Sequence, residues 1–148
     1  MAEIRYESHA KEVKERFYDA VDIYLKEAGM HLEGEAKIAL EANPRRVDTG
    51  LLRNSITHAL YGEAANISGY TADKPKNGEV ESGTYSGSAP GEEDGRAVYI
   101  GTNVEYAMYV HEGTSKMAPN RFIKNAIEWN KEQLKAKAEE IIGGKMAF

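Results

Sequence analysis

The chain has 148 residues, no cysteine and a formal net charge of −5. That length suits one domain, and surface scaling lets about two-thirds of the unfolded surface disappear on folding, from roughly 24,000 to roughly 7,500 Å². Without cysteine, disulfides and thiolate metal sites are excluded; the short apolar runs predict neither a membrane span nor a signal peptide; and the acidic balance weighs against nucleic acid as the main partner.

The expectation is therefore a single domain over 1–148, made and used in cytosol. Its charge is concentrated in one place. Residues 62–95 hold seven acids and two lysines, while the rest of the chain carries 17 of each sign and is neutral.

In chain order, Val13, Phe17, Val21, Tyr24, Ala28, Leu32, Ala36 and Leu40 recur every three or four residues, the period of an amphipathic helix. This predicts an N-terminal helix filling the 1–42 segment from about Ser8 to Ala42. Such a helix would span about 52 Å, whereas a compact domain of this size is about 38 Å across. Either Gly29 and Gly34 break it, each at about 1 kcal/mol, or it projects and packs on a neighbouring subunit. Asn43-Pro44 closes it, because the residue before proline is driven out of the α region.

The run Arg45 to Ile56 follows, in which Asp48 or Thr49 is expected to cap a short helix through its side-chain oxygen. Arg45, Arg46 and Arg53 form a modest basic cluster, read first as a solvated face and only second as a DNA contact. Thr57 to Tyr61 and Ala97 to Gly101 are rich in β-branched or aromatic residues and predict antiparallel neighbouring strands. Between them, 62–95 holds seven of the fourteen glycines and two of the four prolines, which is loop chemistry. A long, flexible acidic loop is expected there, with Tyr70, Val80 and Tyr85 permitting a short hairpin. A C-terminal helix is predicted over 119–142, with Ile123, Ile127, Leu134, Ala138 and Ile141 on one stripe and Phe122, Ala126 and Trp129 on the next. Gly143-Gly144 supplies its stop. The fold class is α+β: a long N-terminal helix, a short helix, a small antiparallel sheet with a long acidic loop, and a C-terminal helix.

Three constellations carry potential chemistry. Asp48-Thr49-Gly50 is the triplet that aspartic proteases use in pairs across a dimer axis. That use requires an apolar strand running into the triplet, whereas Arg45-Arg46 and a helix precede it here. His111-Glu112-Gly113-Thr114-Ser115 brings a histidine, a carboxylate and hydroxyls together, but there is no His-Glu-x-x-His and the other histidines lie at no ligand spacing. His111 is expected at the surface in a turn. Tyr106-Ala107-Met108-Tyr109-Val110 combines large area with polar tips; Tyr106 is read as core, and Met108 and Tyr109, with His111 and Trp129, as a subunit interface. Phosphate-cradling glycine motifs are absent. No catalytic residue, metal or cofactor is expected.

The order of motifs resembles a known family. Arg46-Val47-Asp48-Thr49-Gly50-Leu51-Leu52-Arg53-Asn54-Ser55-Ile56, Val98-Tyr99-Ile100-Gly101-Thr102, Tyr106-Ala107-Met108-Tyr109-Val110-His111-Glu112-Gly113-Thr114 and Pro119-Asn120-Arg121-Phe122-Ile123-Lys124-Asn125-Ala126 are similar, over roughly 44–130, to the gene-product-ten-like neck family of siphophages and prophages. Its members typically carry a Pro-x-x-Thr-Gly-x-Leu-Arg-x-Ser segment, a Val-Gly-Thr strand, a Tyr-Ala-x-Tyr-Val-Glu-x-Gly-Thr segment and a Pro-Phe-like start to the last helix. The chain departs in placing His111-Glu112 where many relatives have Glu followed by an aromatic, and in an acidic loop longer than in the shortest members.

The resemblance implies an α+β head–tail connector or minor tail component that acts without catalysis in virion assembly. It makes Asp48, Thr49, Gly50, Leu52, Ser55, Gly101, Tyr106, Ala107, Glu112, Gly113, Thr114, Pro119 and Phe122 the structural motif residues. The implied partners are other neck, connector or tail proteins and further copies of the chain, in a ring with heterologous contacts; the implied location is the virion, with the host cytoplasm during assembly. A tail terminator or tail-completion subunit is the nearest alternative. A homodimeric aspartic protease using Asp48 and a host interaction module are more remote ones.

Overall fold

A computed structural model describes Glu3 and residues 8–147. The expectation of helix before Ser8 falls largely outside the described residues, as does Phe148. The chain folds as α+β around one helix.

That helix, α1 (Ala10–Glu41), runs 32 residues without a break, about 48 Å. Neither glycine interrupts it. Gly29 is buried, and a Cβ there would stand 2.7 Å from side-chain carbons of both His58 and Val98. Glycine is thus the residue that lets the sheet close onto the helix, and this packing offsets its poor propensity. Gly34 has nothing within 4 Å of a built Cβ and is simply accommodated. The helix ends as predicted, with Ala42 extended and Arg46 N–H donating to Leu40 O at 2.8 Å.

The short helix α2 (Leu51–Ser55) is present, but not with the expected cap. Gly50 takes the cap position at φ +88°, and its side-chain-free backbone leaves room for the Asp73 carboxylate. Thr49 Oγ1 accepts only a long bond, 3.4 Å, from Leu51 N–H, and Asp48 is exposed. A left-handed residue at this position is what glycine supplies at no steric cost. Strand β1 (Thr57–Leu60) leaves α2 directly and pairs antiparallel with β4 (Val98–Gly101), Thr57 opposite Gly101 and Leu60 opposite Val98. Both predicted strands and their pairing are therefore observed.

The acidic segment between them is not structureless. It carries the hairpin β2 (Gly69–Thr71) and β3 (Ser82–Thr84) and a 3-10 turn at Glu92–Asp94. Its middle is tied to the body by Tyr85, whose hydroxyl donates to Ser55 O, and by Asn54 Nδ2, which donates to Thr71 O at 2.8 Å. The Tyr70 ring lies tilted against that of Tyr85, with centroids 5.5 Å apart, and its hydroxyl donates to Asn103 Oδ1 at 2.5 Å. Its far end is held by Arg96, which donates to Tyr61 Oη at 2.7 Å and to Asp22 at 3.1 Å and lies 4.0 Å over the Tyr18 ring. Burial and the Asp22 carboxylate push the Tyr61 phenol above its ordinary value.

After β4 come α3 (Ala107–Glu112), α4 (Phe122–Trp129) and α5 (Lys131–Met146). The single helix predicted over 119–142 is therefore two. Asn130, buried between them, uses Nδ2 to bond Ala126 O at 2.7 Å and Oδ1 to accept from His31 Nε2 at 2.9 Å. A short amide side chain competing for backbone groups is a known helix interrupter. Gly143-Gly144 does not stop α5, which continues to Met146; glycine's preference for helix ends is a bias, not a bar. The helix runs antiparallel to α1, with Gln133 against His31 and Lys137 against Glu27.

The core lies at the C-terminal half of α1. Ala36, Ala39 and Leu40 pack with Leu52, Ile56, Ala107, Val110, Phe122 and Ala126. The chain exposes 9932 Å², above the roughly 7,500 Å² of a compact chain of this mass. Among the described residues no helix is long and apolar enough to cross a membrane.

Candidate functional site

The four sequence motifs, dispersed over some eighty residues, meet at that core. Leu52 from the first, Ala107 and Val110 from the third and Phe122 from the fourth share one cluster with α1. The second joins through Thr102, whose hydroxyl lies 2.5 Å from the fully buried Ser55 Oγ. Gly101, half-buried, ends β4 just before it.

Gly113 caps α3 at φ +79°, where a Cβ would stand 2.9 Å from Met117 O and Pro119 N. Only glycine fits there, so the chain can turn back through Thr114, whose N–H donates to Met117 O at 2.9 Å. Exposed Pro119 then leads into α4. Asn120, 4% exposed, fixes the junction: its N–H donates to Val110 O, and its Nδ2 donates to Ala39 O and Pro44 O, each at 2.9 Å.

What the core turns outward is apolar. Met108 is 73% and Tyr109 62% exposed on α3, and Trp129 is 63% exposed at the end of α4, matching the accessibility an interface needs. Tyr106, expected in the core, is instead 42% exposed at the cap position of α3. His111 is not in a turn but in the last turn of α3, half-buried, with its ring edge-on to Phe122 at 5.3 Å. It sits 2.8 Å from Glu112 Oε1. That hydrogen bond, reinforced by Arg121, holds the Glu112 carboxyl below its usual value against a smaller desolvation effect.

No protein-family model, curated protein or solved structure matches this chain. The family resemblance therefore rests on the sequence motifs alone.

Two open depressions flank α3. One, of about 270 Å³, lies between Arg46, Asp48, Leu51, Tyr106, Val110 and Met117. No strand runs into Asp48: residues 42–50 are irregular and a helix follows, so the local frame a protease triplet requires is not built here. The basic cluster serves the fold. Arg53 is shared between Glu41, at 2.5 Å, and Asp73; Arg46 donates to Ala118 O at 2.8 Å and Arg45 to Val47 O at 2.6 Å. The second depression, about 530 Å³, is floored by Val104, Ala107, Phe122 and Ile123, with Met108 beside it and exposed Glu105 and Glu112 among its lining. Among the described residues no group of three or more His, Asp or Glu side chains is placed to hold a metal.

Sequence reasoning missed the buried asparagines. Asn120 stands within a motif without a role of its own, and Asn130 within the predicted 119–142 helix without one. Composition offers no signal for either, since a buried amide and an exposed one are the same letter.

Proposed function

We propose that this chain is a structural subunit of the neck of a tailed bacteriophage or prophage, joining head to tail in the host cytoplasm and remaining in the virion. It acts by contact, without catalysis, and its partners are other neck or tail proteins and further copies of itself. The observation that carries this reading is the convergence of all four resemblance motifs on one core around α1, which leaves Met108 and Tyr109 outward on the short helix that the core immobilises. Large apolar side chains on a rigid, exposed element are the usual anchors of protein interfaces.

The test is deletion of the gene in its phage, followed by electron microscopy of the lysate. Filled heads lying beside complete, unattached tails are expected, restored to joined particles by the wild-type chain and by Asp48→Asn, but not by a Met108→Ala, Tyr109→Ala double variant. Tails of uncontrolled length would move the subunit to the tail terminus, and infectious particles made without the chain would end the proposal.

A further inference from the structure

The hairpin that rises from the acidic segment has no apolar root. Of residues 67–88 only Ala72 is buried, and none joins the core cluster. A lone two-stranded hairpin is marginal in water, so β2 and β3 persist because polar tethers hold them to the body. On one side Asp73 clasps the start of α2: its N–H donates to Thr49 O at 2.8 Å, and its carboxylate accepts from Asn54 Nδ2 at 2.9 Å and from Arg53. On the other, Asn103 accepts from the Tyr70 hydroxyl at 2.5 Å and donates from Nδ2 to Thr84 O at 2.8 Å. Between the two, the Tyr85 hydroxyl donates to Ser55 O.

The base of this strap is tied separately. Gly62 N–H donates to Pro90 O, Ala89 N–H to Glu63 O and Asn66 N–H to His58 O, each at 2.8 Å, so the ends stay in place when the part between them lifts. Beneath it lies the sheet. Gly29 of α1 meets His58 and Val98, and by strand alternation Thr57, Ala59, Tyr99 and Gly101 face away from the helix. Tyr85 and residues 86–88 lie over that second face and leave a space of about 240 Å³ against it. A contact filled so incompletely forfeits much of its dispersion attraction, and little is lost when it opens.

The clasp also has an alternative partner in place. Arg53 Nη1 is 2.5 Å from Glu41 Oε1 while Nη2 holds Asp73, so when Asp73 leaves, Arg53 stays paired with Glu41 and no cation is stranded. We infer that residues 67–88 form a strap that opens as one unit while the core stays folded, uncovering the second face of the β1–β4 sheet, with Asp73 as its latch. Segments with few buried apolar contacts are the ones that open locally at a fraction of the global free energy. This device goes beyond the neck reading and does not depend on it.

Native-state hydrogen exchange on the whole chain tests it. The amides of Ala72 and Tyr85, bonded to Glu81 O and Ser68 O at 2.9 Å, report the strap, and that of Asn120, bonded to Val110 O at 2.9 Å, reports the core. Ala72 and Tyr85 are expected to share one opening constant, larger than that of Asn120. Asp73→Ala is expected to speed both by about tenfold, through lost hydrogen bonds to a charged group, and to leave Asn120 unchanged. Glu41→Ala removes the alternative partner of Arg53 and is expected to act in the opposite sense, slowing both by about threefold, as suits an exposed ion pair.

The cover itself is read by a thiol, since the chain has no cysteine and Thr57 is 5% exposed. Thr57→Cys is expected to react with a thiol reagent at a rate set by the strap's opening, rising in step with the amides when Asp73→Ala is added. Should either variant fail to fold, Tyr85→Phe replaces Asp73→Ala, read at the Ala72 amide, and Ala59→Cys replaces Thr57→Cys. Strap amides no faster than Asn120, Ala72 and Tyr85 changing by different factors, or a faster strap in Glu41→Ala would each overturn the proposal, as would a thiol indifferent to the latch.

Discussion

Asn120 Nδ2 donates to the carbonyl of Ala39 across 81 residues of chain, so a side chain at the threshold of α4 completes the last turn of α1. The same amide also holds Pro44 O. Asn120→Ala leaves both carbonyls without this donor, at about 1–3 kcal/mol for each that stays buried. Asn120→Asp is expected to be worse, because it aims a carboxylate at two carbonyl oxygens. Urea unfolding of the three proteins checks this, and an Asp variant as stable as wild type would remove the hydrogen-bond assignment.

The two glycines of α1 predict opposite outcomes for one substitution. Gly34→Ala meets nothing within 4 Å and is expected to stabilise by about 0.5–1 kcal/mol through helix propensity. Gly29→Ala drives a methyl to within 2.7 Å of both His58 and Val98, and overpacking of this kind costs about 1–3 kcal/mol. Thermal midpoints moving the same way in both variants would contradict the packing described here.

Two aromatics of α4 differ in the same manner. Phe122 is 1% exposed and central to the core, so Phe122→Ala is expected to cost about 3–5 kcal/mol. Trp129→Ala, at an exposed position, is expected to stay within about 0.5 kcal/mol. Chemical denaturation of each variant decides it; a Trp129 loss as large as that at Phe122 would mean that Trp129 is covered in the free chain.

Acid should weaken the α3–α4 junction in one direction. Glu112 has a folded-state pKa below its ordinary value, chiefly through its hydrogen bond with His111. It therefore binds its proton less readily folded than unfolded, and its contribution is complete above the usual Glu range and lost as pH falls through the depressed folded value. The difference in urea midpoint between wild type and Glu112→Gln is expected to shrink as pH drops below about 4.3. A difference that grows on acidification would reverse the sign and refute the pairing.

The elements legible in the sequence are those written in hydrophobic period. Val13 to Leu40 announces α1, and the β-branched and aromatic residues of 57–61 and 97–101 announce β1 and β4 with their pairing. What escaped depends on single polar side chains and on close approach. Asn130 splits the last helix by bonding Ala126 O, which no apolar stripe encodes. Gly29 looked like a helix breaker because its reason, contact with His58 and Val98, lies 29 and 69 residues further along the chain. The four motifs were visible as words, but their meeting around Ser55, Val110 and Asn120 required the fold.

One continuous helix here has two very different environments. Residues 10–17 are all exposed, whereas Ala28, Leu32, Ala36 and Leu40 are buried. Amides in the first stretch therefore exchange with solvent by fraying of near-zero free energy, while those in the second wait for the whole molecule to open. Along a single rod of hydrogen bonds, deuterium uptake should fall by orders of magnitude from one end to the other, and any neighbour that seats on the bare end would show itself as protection appearing there and nowhere else on α1.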